Sequence, residues 1–430
     1  MHIPTLPPGE TTYNQLSKSR RWFLLILVSV GSSALYTPIY LKSVFYDPLM
    51  EALGCTNEQL GTLLTVYALA ATAFYFFSGV IADKFRVRTL SWVGYAGTAL
   101  LTFAYALLPS YNLLLVIFFG YAVCTILIWW GTRFKMVRLI FPEEEYSQKI
   151  GVSYGIYGVA GLILGVVAIP IVAAFASARM GISTLLILSG CVQVALAVLA
   201  FFFIPRFKGE IGLGGDDRYS LKGIGKALRN PGVWWASLAM FFVYFVFIGS
   251  TFTTPYMTMC LAAPVVLATA ISTIRSMGMT IISAPLFGAW TRKAGSTSKV
   301  IIIGSVLCAI CVAALIFIPK DSGMLVVGCI AICLFAFVIN GLYGVGSGQL
   351  SELHIPIGVF GVASGLCSII GRLPDTFIHT WFGAMIDEQG AAAFDTIFLI
   401  LALSCLAALF CSIMVIRTAK KQAKKAAEHE

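Results

Sequence analysis

Long apolar segments alternate with short polar segments along the whole chain of 430 residues. Each apolar segment is about 20 or more residues long, which is the length that an α-helix needs to cross a bilayer core. The segments lack the alternating apolar and polar positions that are typical of membrane β-strands. We therefore predict an all-α membrane protein with twelve transmembrane helices. The predicted spans are 22–44, 57–81, 88–108, 112–137, 149–176, 181–204, 232–259, 264–290, 299–318, 323–349, 357–385 and 392–416.

One polar segment in the middle of the chain divides these spans into two groups of six. Transporters built from two such halves bind their substrate near the middle of the membrane, where the repeats meet. The pattern therefore predicts a transporter with two six-helix halves. Its predicted parts are a cytoplasmic N-terminus (1–21), an N-terminal half (22–204), a cytoplasmic linker (205–231), a C-terminal half (232–416) and a cytoplasmic tail (417–430).

The composition excludes a soluble protein. The chain is 59% hydrophobic and only 11% charged, whereas about a quarter of the residues of a typical soluble domain are charged. A chain with so few charges has to use lipid as its solvent, and helices satisfy their own backbone groups there.

The distribution of Lys and Arg predicts the orientation. Most of the 29 basic residues lie in the N-terminus, in the loops after the second, fourth, sixth and eighth spans, and in the tail. Because cytoplasmic loops are enriched in Lys and Arg, both termini should be cytoplasmic in a multi-pass protein of the inner membrane. The net charge of +10 then reflects topology and contact with anionic membrane lipid, so we expect no nucleic-acid partner.

The loop after the second span carries a recognisable motif, GVIADKFRVRT at 79–89. It resembles the signature loop of the major facilitator superfamily (MFS). The matching residues are Gly79, Asp83, Lys84 and Arg88, while Arg86 stands where the pattern usually has Gly. The resemblance implies the MFS fold, and it implies that the four matching residues form a latch that holds one conformation. A carboxylate beside helix termini and cations is suited to such a role.

A softer resemblance concerns the branch of that superfamily. The stretch at 40–61 is similar to organophosphate and organic-anion facilitators, and the chain is similar to bacterial facilitators of sulfosugar and sugar-acid operons. Sugar-phosphate exchangers of this kind place an Arg in the seventh span, where this chain has Phe247. The resemblance thus favours a carboxylate or sulfonate substrate over a phosphate ester.

Four ionisable residues lie well inside the predicted spans: Arg133, Arg275, Arg372 and Asp375. Buried charges of this kind usually mark a functional site in a membrane protein. Arg275 and Arg372 lie near the middle of their spans, so we predict that their two guanidinium groups together bind one anion. Alternatively, Arg372 pairs with Asp375 three residues away, and Arg275 snorkels or bonds helix carbonyls. Arg133 lies lower in its span and is either a substrate contact, a snorkelling residue or part of a gate.

Asp375 is a candidate for proton coupling. It is the only carboxylate placed well inside a predicted span, and it can take up a proton when Arg372 turns to the substrate. His379 is four residues further on the same face, and histidine ordinarily titrates near neutral pH. The alternative is an ion pair that only orients Arg372.

Other polar groups of the spans are candidate substrate contacts or contacts between helices. They are Tyr36, Tyr40, Tyr244, Asn340 and Tyr343. The cysteine pairs have helical spacing without further ligands, so we predict neither a metal site nor a cofactor.

These patterns predict a secondary active transporter that moves a small organic anion by alternating access, coupled to protons. The alternatives are anion exchange (dicarboxylate or phosphate-ester antiport, with a counter-anion as partner) and a non-transporting sensor with the same fold. An intramembrane enzyme is disfavoured, because four histidines and one buried aspartate do not form a catalytic constellation. We expect a monomer.

Overall fold

The structure is a computed structural model that describes residues 9–211, 228–353, 355 and 357–427. Parts of four predicted segments lie outside these residues: the start of the N-terminus, residues 212–227 of the linker, residues 354 and 356 of the C-terminal half, and the end of the tail. Most of the described chain is helical. The α-helices are α1 (Lys18–Tyr36), α2 (Tyr46–Leu53), α3 (Asn57–Lys84), α4 (Val87–Ala106), α5 (Tyr111–Ala122), α6 (Gly131–Ile140), α7 (Glu143–Ala173), α8 (Ala178–Phe203), α9 (Pro231–Gly249), α10 (Thr253–Leu261), α11 (Val265–Thr273), α12 (Met279–Ala294), α13 (Thr297–Phe317), α14 (Leu325–Val345), α15 (Ile357–Arg372), α16 (Ile378–Gln389) and α17 (Ala393–Ala427).

Several of these helices join end to end into longer rods. A π-helical segment, Val123–Trp130, connects α5 with α6, and a second one, Ile274–Gly278, connects α11 with α12. Short 3₁₀ turns connect α9 with α10 and α15 with α16. The turn between α15 and α16 contains Pro374, which has no backbone N–H to continue an α-helix.

The helices coincide with the predicted spans. In the described part of the chain, nine helical stretches are long and apolar enough to cross a membrane, and the last of them, Ala363–Lys424, runs through two predicted spans. α1 and α4 occupy the positions of two further spans. The first helix ends at Tyr36, earlier than predicted, and α2 follows it as a separate short helix. The last helix continues through most of the predicted tail, whose Ala, Lys and Gln residues favour helix.

The chain forms two compact units. The first comprises the described residues up to Cys55 and those from Val66 to 211. Its core includes Tyr95 and Trp129, whose ring centroids are 4.6 Å apart. Gly31 of α1 lies directly against Tyr95, where a Cβ atom would collide with the phenol ring, so α1 and α4 depend on this glycine for their close approach.

The second unit comprises Thr56–Thr65 and the described residues from 228 onward. A core cluster includes Val233 and Ala236 of α9 with Cys367 of α15. Asp387, at the end of α16, caps the start of α3 in this unit: its carboxylate accepts hydrogen bonds from the backbone N–H groups of Asn57, at 3.0 Å, and of Glu58, at 2.7 Å. A carboxylate stabilises a helix N-terminus through such bonds.

Candidate functional site

The break between α15 and α16 holds a buried carboxylate with two polar partners. Asp375 is 7% exposed and His379 is 1% exposed. One carboxylate oxygen of Asp375 accepts a hydrogen bond from the hydroxyl of Tyr244 at 2.8 Å, and the other lies 3.2 Å from Nε2 of His379. Both carboxylate oxygens are therefore satisfied, as burial of such a group requires. The carboxylate and the imidazole are close enough to share a proton.

Arg372 lies beside this group, at the end of α15. Its Nη2 donates a hydrogen bond to the hydroxyl of Tyr343 at 3.3 Å, and its Cζ is 5.8 Å from the ring centroid of Tyr244. The carboxylate oxygens of Asp375 contact Tyr244 and His379, and the pairing of Arg372 with Asp375 stays one of the two predicted roles.

Three aromatic rings form a stack next to Arg372. Phe247 and Tyr343 are nearly parallel, with centroids 4.4 Å apart and an angle of 18°. The ring of Tyr244 is 5.8 Å from Phe247 and 5.3 Å from Tyr343. The two tyrosines direct their hydroxyls to the charged groups while their rings provide an apolar wall. Charges act more strongly beside such a wall than in water.

Arg275 lies in the second π segment and is 1% exposed. Its Nη1 donates to the hydroxyl of Ser250 at 3.4 Å. Its backbone carbonyl accepts a hydrogen bond from the side chain of Asn340 at 3.2 Å. Asn340 also donates to the carbonyl of Ala336 and accepts from Thr280. The structure thus places Asn340, a predicted substrate contact, as a link between α14 and the π segment.

Arg275 and Arg372 have partners at different positions along the same two helices, and the similar depth of their guanidinium groups stays a prediction. Both contact α14, through Asn340 and Tyr343, which are about 4.5 Å apart along the helix axis. Both also contact the rod that begins with α9, through Ser250 and Tyr244, roughly 9 Å apart. The offset has the same direction along both helices: the contacts of Arg275 lie further from the start of α9 than those of Arg372. Arg275 is enclosed by helices, while Arg372 is partly exposed.

We expect Asn340→Ala to destabilise the second unit by about 1 to 3 kcal/mol, because it removes side-chain partners of Arg275, Ala336 and Thr280 inside the protein. Thermal unfolding of the purified protein in detergent measures this loss. The matched control is Ser276→Ala on the same π segment, since the Ser276 hydroxyl bonds a carbonyl of its own helix. Equal unfolding temperatures for the two variants would contradict the linking role of Asn340.

Arg133 belongs to the first unit and is enclosed there. It is buried, its Nη2 donates to the hydroxyl of Ser153 at 3.2 Å, and its Cζ lies 4.3 Å from the ring centroid of Tyr154. The Ser153 hydroxyl also contacts that of Ser29 at 2.7 Å. The guanidinium is therefore held between α6 and α7 on an aromatic face, and it does not snorkel to the surface of the unit.

Tyr36 and Tyr40 lie in a small cluster of the same unit. The Tyr36 hydroxyl donates to the backbone carbonyl of Thr125, in the first π segment, at 3.3 Å. The ring of Tyr40 meets that of Tyr67 edge-on at 5.9 Å, and the Tyr67 hydroxyl is 3.1 Å from that of Thr125. These tyrosines contact other helices within the unit, which is one of the two predicted roles.

The described contacts of the motif loop lie within the first unit. Lys135 of α6 donates to the backbone carbonyls of Ala82 and Phe85, at the end of α3. Arg88 lies over the ring of Phe201. The latch role of Gly79, Asp83, Lys84 and Arg88 stays a prediction, because the contacts described here lie within one unit.

Arg86, the residue that departs from the motif, makes ion pairs in this loop. It contacts Glu10 at 2.9 Å and Glu210 at 3.1 Å. The hydrogen bond to Glu10, followed by the bond to Glu210 and the charge of that carboxylate, raises the pKa of Arg86. Glu210 also accepts from the backbone N–H of Val87, at the start of α4. The loop thus ties together two short parallel strands, β1 (Glu10–Thr11) and β2 (Arg206–Phe207). No sequence signal indicated this cluster, since its members are far apart in the chain.

Comparison with known proteins identifies relatives of similar length. A family model described as Major Facilitator Superfamily matches residues 22–374. The chain is 27% identical to the inner membrane protein YqcE of Escherichia coli (strain K12), over 88% of this chain and 90% of YqcE. It is 23% identical to the inner membrane protein YihN of the same organism, over 94% of this chain and 98% of YihN.

Solved structures of low sequence identity share the fold. A bacterial homologue of the human lysosomal transporter Spinster, inward-facing and unoccupied, matches with a TM-score of 0.72 and 13% identity, over 95% of this chain and 99% of the other. The nucleoside transporter NupG matches with a TM-score of 0.71 and 13% identity, over 92% of this chain and 99% of NupG. At these identities the likeness concerns the fold alone.

Proposed function

Because the chain belongs to the Major Facilitator Superfamily, we propose that this transporter moves a small organic anion of the carboxylate or sulfonate class, coupled to protons. The protein is a multi-pass inner membrane protein and not an enzyme. In the proposed orientation both termini are cytoplasmic and the protein works as a monomer by alternating access. The observation that carries the proposal is the partly exposed guanidinium of Arg372 beside the buried pair of Asp375 and His379.

Arg372 is the proposed anion-binding group. Its charge is permanent, and its planar fork of N–H donors fits carboxylate and sulfonate oxygens. Tyr343 accepts a 3.3 Å hydrogen bond from one end of this guanidinium and so orients it. The stack of Tyr244, Phe247 and Tyr343 supplies the apolar side of the site. Phe247 is uncharged and provides no second cation for a phosphate group, in line with the preference for carboxylates or sulfonates.

Asp375 and His379 are the proposed proton carriers. Tyr244 touches both functional groups, because its hydroxyl bonds Asp375 and its ring lies under Arg372. An anion that draws Arg372 away from Tyr244 removes positive potential from the neighbourhood of Asp375, which favours proton uptake there. Release of the anion restores that potential and expels the proton. Binding of the anion and of the proton are thereby linked, as symport requires.

The other candidate residues have supporting roles in this proposal. Arg275 fixes the packing of three helices and adds positive potential behind Arg372, without direct contact with the anion. Roles of Arg133, Tyr36 and Tyr40 as substrate contacts stay predictions, and so does the role of the motif loop as a latch.

Uptake by purified protein in proteoliposomes tests the function. We expect a carboxylate or sulfonate to accumulate in the vesicles when the outside medium is more acidic than the lumen, while an uncharged nucleoside does not. Accumulation that needs an organic anion on the opposite side, whatever the pH gradient, indicates exchange instead. Absence of flux for every organic anion, with either a pH gradient or a counter-anion, contradicts transport and favours the sensor.

A further inference from the structure

A groove lined by apolar side chains runs along the first unit between α4 and α8. It has a volume of about 440 Å³ and extends from Trp92 to Phe103 on α4. This stretch of helix is about 16 Å long, and half of the hydrocarbon core of a bilayer is about 15 Å. Leu100 and Phe202 on its walls are 72% and 69% exposed. The length of the groove therefore matches the thickness of the hydrocarbon layer of one leaflet, and its exposed walls can contact an apolar molecule.

A cation stands at one end of the groove. Arg88 lies one helical turn before Trp92, and its Cζ is 5.0 Å from the ring centroid of Phe201, which lines the groove. The ring of Trp92 meets that of Phe201 edge-on at 6.0 Å. The neighbouring Arg86 has Glu10 as an ion-pair partner, but Arg88 has no ion pair with the described residues. The Arg88 side chain is partly exposed, so an external anion can reach it.

The position of Arg88 suits a lipid headgroup. In the orientation proposed above, this end of α4 is cytoplasmic, so Arg88 lies at the headgroup level of the inner leaflet. Arg206 is exposed a few residues beyond the end of α8, at the same end of the helix. Basic residues at this level attract anionic lipids, and a guanidinium binds phosphate oxygens well.

We propose that this groove is a binding site for a phospholipid with an anionic headgroup. One acyl chain lies along the groove between α4 and α8, and the phosphate contacts Arg88. The site uses only residues of the first unit and is independent of the anion site at Arg372.

Native mass spectrometry of the delipidated full-length protein, with phosphatidylglycerol or phosphatidylethanolamine of identical chains added back, tests the site. We expect about fivefold stronger retention of phosphatidylglycerol, as one basic side chain at the membrane surface provides. Arg88→Gln should remove this preference. Val198→Trp, which places a ring in the groove, should lower the retention of both lipids. Arg179→Gln, at the opposite end of α8, is the control with the same charge change and should behave like the wild type.

Four results with added lipid would overturn the proposal, and a fifth concerns the oligomeric state. They are an unchanged lipid preference in Arg88→Gln, unchanged retention in Val198→Trp, equal loss in Arg179→Gln, and displacement of the lipid by glycerol phosphate, which has no acyl chain. A dimer mass that replaces the lipid-bound monomer also rejects it, since the groove is then an interface between copies of this chain.

Discussion

Arg372→Gln lowers the affinity for the transported anion by about 10- to 150-fold, the expected loss when a hydrogen-bonded charge is removed from a partly buried site. Arg372 is partly exposed, and glutamine keeps a polar amide there, so the fold should persist. Ligand-induced thermal shift of the purified protein and uptake into proteoliposomes measure the effect. Arg372→Lys should recover part of the affinity, because a lysine restores the charge without the planar fork.

The matched comparison is Arg275→Gln. Arg275 is enclosed and bonded to Ser250, so its replacement should lower the unfolding temperature. The molecules that remain folded should bind the anion with nearly the wild-type affinity. If Arg372→Gln binds the anion as tightly as the wild type, the anion site lies elsewhere. If Arg275→Gln instead abolishes binding while its unfolding temperature is unchanged, Arg275 touches the substrate, as the two-arginine prediction has it.

The second large effect concerns Asp375→Asn, which should abolish accumulation driven by a pH gradient and leave exchange of labelled for unlabelled anion intact. The amide has nearly the same shape and can still accept the hydrogen bond from Tyr244. It carries no titratable proton, so binding of the anion is no longer linked to protonation. Uptake and counterflow measured in the same proteoliposomes separate the two processes.

The control is Glu388→Gln, which removes an exposed carboxylate near the end of α16 and should leave both processes unchanged. His379→Gln should shift the pH dependence of uptake, because it removes the imidazole beside Asp375. Gradient-driven accumulation that survives in Asp375→Asn would show that the proton travels by another group, even if the transporter function is correct.

The helices could be predicted from the sequence because each depends on a local property. A run of apolar residues has to be helical in lipid, whatever its neighbours are. The break at Pro374 follows in the same way from the missing N–H. The family resemblance rests on the motif at 79–89, and the match of the family model to residues 22–374 confirms it.

The arrangement of the site could be predicted only in part. A charged residue inside an apolar span can be recognised as a candidate from the sequence alone, but its partners come from other helices. Asp375 bonds Tyr244, which is 131 residues away, and this pair arises from the packing of α9 on the break after α15. The positions at which Arg275 and Arg372 meet their partners likewise depend on how far each helix is displaced along its axis, which hydropathy does not encode.

The π segment at Ile274–Gly278 changes how the rest of its helix is to be interpreted. A π turn holds one residue more than an α turn, and one residue corresponds to about 100° of rotation around the axis. Residues of α12 therefore face a different side from the one that a continuous helical wheel starting in α11 assigns to them. In a cysteine-labelling scan of Val265–Ala294, the accessible positions should recur with a helical period that changes phase at Arg275. An alignment that places a one-residue gap there preserves the facing side chains of both helices.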